Sequence, residues 1–394
     1  GNEALLRGDL SDKRLYEYIK EVKAALPDVR VTYADVWEYW IKYPHIKDVT
    51  DFVTIHILPY WEDDPMEITT AIKHLANVRY EVEGILKTSN ILIGETGWPS
   101  EGRMREDALP SKTNQAIFVR EFVKLAEEKN WNYNIIEAFD QPWKRVSEGA
   151  VGGFWGLFDK DRLDKNVFTG DVSNFPNYKY LGFGSLLLIF GFSFLLKNSN
   201  ISTKRVVLFS FINTIFAVLY MLQMEQFNIT VRSSGEVVWA TLVLLTHLAI
   251  YYFVLLNIVK ESKPKIVGIR EILTNKIFNV DTLPMILFYS SFIFVLISTI
   301  ILAFEGRYRN FEIYIFAISA ISFVLLYGGR FANMEFKAFE KLSFIVLLIT
   351  SIISFYNEGS LNIFSNIWII IALIFTYILL KKSKNSSFSE LKII

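Results

Sequence analysis

Two glutamates, Glu3 and Glu95, are the residues whose neighbours best suit them to do chemistry. Glu95 lies in Ile91-Leu92-Ile93-Gly94-Glu95-Thr96-Gly97-Trp98-Pro99-Ser100. Three apolar residues read there as a buried strand, and Gly-Glu-Thr-Gly ends it. A carboxylate is thus delivered at the C-terminal end of a strand, between two glycines that let substrate and backbone come close. An indole follows at once. A carboxylate for an anomeric carbon and a flat apolar face for a sugar ring are the parts that glycoside chemistry uses. Taken alone, the tetrapeptide reads equally well as a capping glutamate in a strand-to-helix turn.

The elements that must position these carboxylates alternate along the first part of the chain. A helical pattern covers 11–26, with Leu15, Ile19, Val22 and Ala25 on one face and Ser11 as its cap. A strand is expected over 29–33, then a short helix over 35–41 carrying Trp37 and Trp40 as packing residues. A second strand covers 52–58 and is closed by a Pro- and acid-rich loop, followed by a helix over 66–86. After the Ile91 strand, Thr113 caps a helix that runs to Lys129, and a last strand covers 134–139. Strands alternating with helices of a dozen or more residues mean parallel βα units. Acidic and aromatic residues gather after each strand, which in a (β/α)₈ barrel is the active-site face. No glycine-rich phosphate loop marks an open doubly wound sheet. The fold expected for 1–175 is therefore α/β, a partial (β/α)₈ TIM barrel incomplete at its N-terminal side, in a chain that is a fragment or processed.

At this point the residues resemble a family. Gly1-Asn2-Glu3 and Gly94-Glu95-Thr96-Gly97-Trp98-Pro99-Ser100 are similar to the two signatures of glycoside hydrolase family 17, the β-1,3-glucanases. Asp51-Phe52-Val53-Thr54-Ile55-His56 and Phe139-Asp140-Gln141-Pro142-Trp143-Lys144 resemble its microbial branch. The resemblance implies a retaining glycosidase acting on β-1,3-glucan, with strands 4–8 present and no cofactor. Glu3, ending the fourth strand, would be the acid/base, and Glu95, ending the seventh, the nucleophile. Asn2 would hydrogen-bond the sugar 2-hydroxyl. Glu3 is expected to stay protonated to higher pH than Glu95. A transglycosylase that branches or cyclises glucan, and a non-catalytic glucan-binding assembly partner, are the alternatives.

Further candidates follow from position and residue type. Tyr33, at a strand end, could hold the nucleophile by a hydrogen bond. Tyr60, Trp61, Trp98, Trp143 and Trp155 are candidate stacking plates for glucose rings, and Asp140 and Lys144 follow the last strand toward the cleft. Glu62, Asp63 and Asp64 read as solvated loop charges, with binding of sugar hydroxyls or a cation as the alternative. Seven of the nine tryptophans precede residue 160, which suits a sugar cleft. His45, His56, His74 and His247 share no ligand spacing, so no metal centre is expected.

Composition splits the chain. The 394 residues carry no net charge, which argues against nucleic acid as a partner, and no cysteine, which excludes disulfides and thiolate metal sites. The mean hydropathy of +0.29 is high because 176–394 is strongly apolar. Seven apolar stretches, 180–196, 206–224, 237–259, 283–304, 311–327, 342–357 and 363–380, predict a polytopic membrane domain of about seven transmembrane helices. The first, fifth and sixth are the shortest. Alternate loops carry fifteen Lys and Arg on one side and Arg232, Arg307 and Arg309 on the other. The basic side is expected to be cytoplasmic, which puts residues 1–175 outside a bacterial inner or plasma membrane, in the periplasm or beyond. The partners expected are a β-glucan, the lipid bilayer and, as a candidate, a glucan synthase. Residues 260–281 read as an interfacial amphipathic helix with Ile266, Ile269, Ile272 and Leu273 inward.

Overall fold

The computed structural model describes residues 1–197, 199–261, 264, 266–275, 279–327 and 338–380. The chain divides into two compact units, Gly1–Asn174 and Phe175–Ile394.

The first unit is α/β. Its helices are α1 (Asp12–Ala25), α2 (Trp37–Lys42), α3 (Ile68–Leu86), α4 (Lys112–Lys129) and α5 (Arg145–Gly152). Its strands β1 (Ala34–Val36), β2 (Val53–His56), β3 (Ile91–Thr96) and β4 (Asn132–Ile135) form one parallel sheet in the order β1-β2-β3-β4. Asn2 bridges Ala34 in parallel, so Gly1–Glu3 extends the sheet beyond β1. Strictly sequential parallel order, with helices between strands, is the winding of a barrel wall. The core lies between sheet and helices: Ile55, Ile93, Leu75, Val82, Phe118 and Phe122 are all buried.

Several local expectations shift. The strand expected over 29–33 begins at Ala34, and Val29 is exposed. Instead Val31 O accepts from Asp51 N at 2.8 Å, and the Asp51 carboxylate accepts from Val31 N at 2.6 Å. The strand proper contains Asp35, a residue that pattern reading excludes from a buried strand. Asp35 is tolerated because its carboxylate accepts from Tyr33 Oη and from Leu5 N and Leu6 N at 3.2 and 3.4 Å. Helix α4 is capped by Ser111, which accepts from Asn114 N, rather than by Thr113. On α1 only Leu15 and Ile19 are buried; Val22 and Ala25 are exposed. Ser11 caps it, accepting from Arg14 N at 3.3 Å.

The second unit is helical over the described residues: α6 (Tyr178–Ser193), α7 (Thr203–Thr230), α8 (Ser234–Lys260), α9 (Ile269–Asn275), α10 (Leu283–Phe304), α11 (Ile313–Tyr327), α12 (Ala338–Glu358) and α13 (Ile363–Leu380). Among the described residues, five helices are long and apolar enough to cross a membrane: Tyr178–Leu196, Thr203–Thr230, Ser234–Lys260, Leu283–Phe304 and Glu340–Glu358. Ile313–Tyr327 and Ile363–Thr376 are shorter. His247 is a buried polar group of this bundle with both ring nitrogens paired, as an apolar surrounding favours. His247 Nδ1 donates to Val243 O at 2.7 Å, which leaves Nε2 to accept from Ser319 Oγ at 2.7 Å. In the 260–281 segment Ile272 is buried and Ile266 and Ile269 pack on the helix cluster, while Leu273 is exposed. The expected inward face is thus corrected: three of its residues meet protein and the fourth does not. Of the basic residues used for orientation, Lys263, Lys265, Lys276, Arg330, Lys337, Lys381, Lys382, Lys384 and Lys392 lie outside the described residues.

Candidate active site

The edge of the sheet formed by its C-terminal strand ends carries the two glutamates and a histidine between them. β2 is buried along its whole length and ends at His56. β3 runs past Gly94 and includes Glu95, so the expected stop at Gly94 does not occur. Instead the pairing slips. Ile55 faces Ile93, but His56 faces Glu95, so Gly94 and Glu95 together span one residue of β2. Such a bulge re-aims side chains. It moves Glu95 off the sheet face of Ile93 and onto that of His56. The close approach at Gly94 is made to protein: a Cβ there would lie 2.5 Å from Thr54 Cγ2 and 3.1 Å from His56 Cδ2. At Gly97 it would lie 2.6 Å from Ile136 O. The two glycines make room for neighbouring strands, which corrects the expectation that they make room for substrate.

Glu3 reaches the same place from the other side. Its N–H bonds Ala34 O at 2.8 Å, and its φ of 53° turns the chain out of the sheet. His56 Nδ1 donates to Glu3 Oε1 at 2.8 Å and lies 3.9 Å from Glu95 Oε2. One donor atom from each of Glu3, His56 and Glu95 falls within 4.8 Å of the others. Glu3 and Glu95 are half-buried, and His56 is fully enclosed at 2% side-chain exposure.

The electrostatics reverse the protonation order expected from sequence. The bond from His56 holds the Glu3 carboxyl below its ordinary value, against a desolvation effect of the opposite sign. Burial pushes the Glu95 carboxyl up; the nearby Glu3 and Glu137 add to this, and His56 and Lys144 oppose it. The physical reason is the imidazole, which sits 2.8 Å from one carboxylate and 3.9 Å from the other.

The other candidates divide. Lys144 is brought to the site, where its Nζ donates to Glu137 Oε2 at 2.6 Å and its charge acts on Glu95. Asn2 is exposed beside Glu3. Trp143 is 69% exposed. Tyr33 is buried and does not hold Glu95: its hydroxyl donates to Asp35 and accepts from Leu5 N at 2.9 Å. Tyr60, Trp98 and Trp155 are core residues, which corrects their assignment as open plates. Tyr60 Oη donates to Arg103 O at 2.6 Å and Trp98 Nε1 to Leu109 O at 3.1 Å. Tyr60 meets Trp98 and Trp155 edge-on at 6.1 Å in both cases. Trp61 is half-buried, stacked on Trp155 at 6.4 Å. Asp140 is turned inward rather than to the cleft, ion-paired to Lys165 at 3.0 Å and accepting from Gly156 N at 2.9 Å. Trp40 packs as expected, its indole donating to Thr54 O at 2.8 Å. Glu62 is paired with His74 at 2.5 Å and is not a free loop charge.

Sequence reasoning missed His56 and Glu137. His56 stands among apolar neighbours and shares no ligand spacing with the other histidines; the available signal was that its strand lies beside the one that carries Glu95. Glu137 follows the β4 strand, accepts from Gln141 and Lys144 through Oε2, and keeps Oε1 buried without a partner.

Known proteins are similar to the first part of the chain. The family model for the BtgE/BtgC glycoside hydrolase domain matches residues 1–156. A glucan 1,3-β-glucosidase of Saccharomyces cerevisiae is 27% identical over 180 residues, covering 40% of this chain and 56% of the relative. A probable β-glucosidase btgE of Neosartorya fischeri is 28% identical over 164 residues, covering 40% of this chain and 29% of the relative. Among solved structures, a glycoside hydrolase family 17 β-1,3-glucanosyltransferase from Rhizomucor miehei is 30% identical, with a TM-score of 0.39, covering 44% of this chain and 62% of that one. The chain thus spans little more than half the length of the first of these relatives. Residues 1–156 thus match a glycoside hydrolase domain, and this part of the chain is similar to proteins of glycoside hydrolase family 17.

Proposed function

We propose that the Gly1–Asn174 unit is the catalytic part of a retaining glycosidase acting on β-1,3-glucan, held outside the cytoplasm by membrane-spanning helices of the second unit. The observation that carries this reading is the convergence of Glu3 and Glu95 on His56, with one oxygen of each carboxylate within 4.8 Å of the other. Retaining enzymes need carboxyl groups about 5–5.5 Å apart, and inverting enzymes need roughly 6.5–9.5 Å to admit a water. The S. cerevisiae relative is named a glucan 1,3-β-glucosidase, which supplies the substrate class.

In this mechanism Glu95 attacks the anomeric carbon and forms a glycosyl ester. Glu3 protonates the departing oxygen, then takes a proton from the incoming water or sugar hydroxyl. In the free chain Glu3 gives up its proton more readily than Glu95, the reverse of the order that the reactive form needs. A glucan seated over the pair strips water from Glu3, which favours its protonated form. Positive charge growing at the anomeric carbon favours ionised Glu95. In this reading the exposed Asn2 meets the sugar 2-hydroxyl, and the exposed Trp143 offers a ring face.

The electrostatic order also favours a second reading in which the roles are exchanged, Glu3 attacking and Glu95 protonating. Trapping separates the two. A 2-deoxy-2-fluoro glucoside with a good leaving group slows ester breakdown, and peptide mass mapping locates the label. A label on Glu95 supports the first assignment and one on Glu3 the second. Release of product with inverted anomeric configuration sinks both. Product masses from laminarin then show whether water or a sugar hydroxyl resolves the ester.

A further inference from the structure

We propose that Glu3, His56 and Glu95 form a binding site for a divalent cation of the Zn²⁺ class, and that loading this site shuts off the two carboxylates. Binding stands on the geometry alone; only the loss of turnover rests on the catalytic reading above.

The argument starts from the donor set. His56 Nδ1 lies 2.8 Å from Glu3 Oε1 and 3.9 Å from Glu95 Oε2, and all three donor atoms fall within 4.8 Å of one another. A tetrahedral Zn²⁺ with ligands at about 2.0–2.2 Å places those ligands roughly 3.4 Å apart. The first spacing must open and the others close by up to about 1.4 Å, which carboxylate rotation can supply because Glu3 and Glu95 are 21% and 31% exposed. The histidine needs no such freedom. It is enclosed, and Gly94 backs its ring at a spacing that a Cβ would close to 3.1 Å.

Chemistry then selects the ion. One imidazole with two carboxylates, and a fourth position open to the cleft, is the composition of open zinc sites. Mg²⁺ and Ca²⁺ prefer six or more oxygens, which this set does not offer. Among common divalent ions, an N/O site of this kind ranks Zn²⁺ above Mn²⁺. Once metal binding has displaced any proton, the two carboxylates balance the charge of the ion. Two cations flank the site and share their charge with other anions: Arg7 Nη1 is 3.7 Å from Glu3 Oε2 while its Nε is 3.0 Å from Asp9, and Lys144 Nζ is 2.6 Å from Glu137. The ligands come from three separate segments of the sheet, which is why no spacing in the sequence announces them.

Calorimetric titration of the purified full chain with ZnCl₂ at pH 7 tests the binding. The expected result is a saturable site weakened at least tenfold by Glu95→Gln, by Glu3→Gln and by His56→Gln, and unchanged by His74→Gln, which removes a different Glu–His pair. If His56→Gln does not fold, the two glutamine variants decide, since both sites are partly exposed. Co²⁺ titration gives a second readout: its visible absorption should be lost in the same variants. A Zn²⁺ affinity that stays within twofold in Glu95→Gln or Glu3→Gln overturns the proposal, as does the absence of saturable binding. If the variants lose Zn²⁺ but the wild type releases no sugar from laminarin, the metal site stands and the catalytic reading falls. If the wild type turns over laminarin and saturating Zn²⁺ leaves the rate unchanged, the shut-off is refuted.

Discussion

Gly94→Ala is the most discriminating single substitution, because one methyl group tests how the sheet aims Glu95. The added Cβ would stand 2.5 Å from Thr54 Cγ2, 3.1 Å from His56 Cδ2 and 3.2 Å from His56 Nε2, where ordinary contact is 3.4–4 Å. Thr54 cannot simply turn away. It is buried, its hydroxyl bonds Thr32 Oγ1 at 2.8 Å, and its carbonyl accepts from the Trp40 indole at 2.8 Å. Relief must come from separating β2 and β3 at the bulge. Overpacking of a tight core contact costs about 1–3 kcal/mol. For a unit the size of Gly1–Asn174 that is roughly 2–12 °C in the midpoint of thermal unfolding.

Tryptophan fluorescence is the right probe, because seven of the nine tryptophans precede residue 160 and so report on the first unit. Turnover of laminarin should fall further than stability does, since the displaced ring is the one that holds Glu3. Thr54→Ser supplies the internal control. It removes the methyl at 2.5 Å and keeps the hydroxyl, so it should restore part of the lost stability in the Gly94→Ala background while doing little or mild harm alone. Equal melting of Gly94→Ala and the wild type would refute the close-approach argument. A double variant no more stable than Gly94→Ala would refute Thr54 as the obstacle.

Other expectations follow from the same geometry. His56→Gln should move the acid limb of the kcat/KM–pH profile upward, because the bond from His56 is the main influence lowering Glu3. The stability sign agrees. A depressed carboxylate pKa stabilises the fold above the unfolded value of 4.5 and is lost as pH falls through the folded value, so the wild type should lose more stability than His56→Gln below pH 4.5. Lys165→Met should cost about 3–5 kcal/mol at neutral pH in denaturant titration, because it strands the enclosed Asp140 carboxylate. The cost should shrink near pH 5, since burial pushes Asp140 up to about 6. For topology, the chain has no native cysteine, so single cysteines are clean reporters. A membrane-impermeant maleimide should label Ser234→Cys in intact cells and spare Ser202→Cys; the opposite pattern would invert the orientation.

How far the site was legible in the sequence depends on range. Glu95 was readable because everything that marks it is local: an apolar run, two flanking glycines and an indole within ten residues. The alternation of strands and helices was readable for the same reason, since periodicity is a local signal. What failed was non-local. Tyr60, Trp98 and Trp155 carry the residue type of a sugar plate, but loops from three parts of the chain fold them against one another, and type alone does not say which ring faces water. Asp35 hides inside a strand only because the turn after Glu3 supplies two N–H groups to it. His56 is the clearest case. Nothing within its own strand distinguishes it from a packing histidine, and its meaning comes from a one-residue slip of register against β3. That slip needs a residue without a side chain at position 94, so the glycine read as an opening for substrate instead sets which face of the sheet receives Glu95. The chemistry of the pair therefore rests on a backbone irregularity: in an unbroken register Glu95 would share the face of Ile93, and Glu3 and His56 would have no second carboxylate beside them.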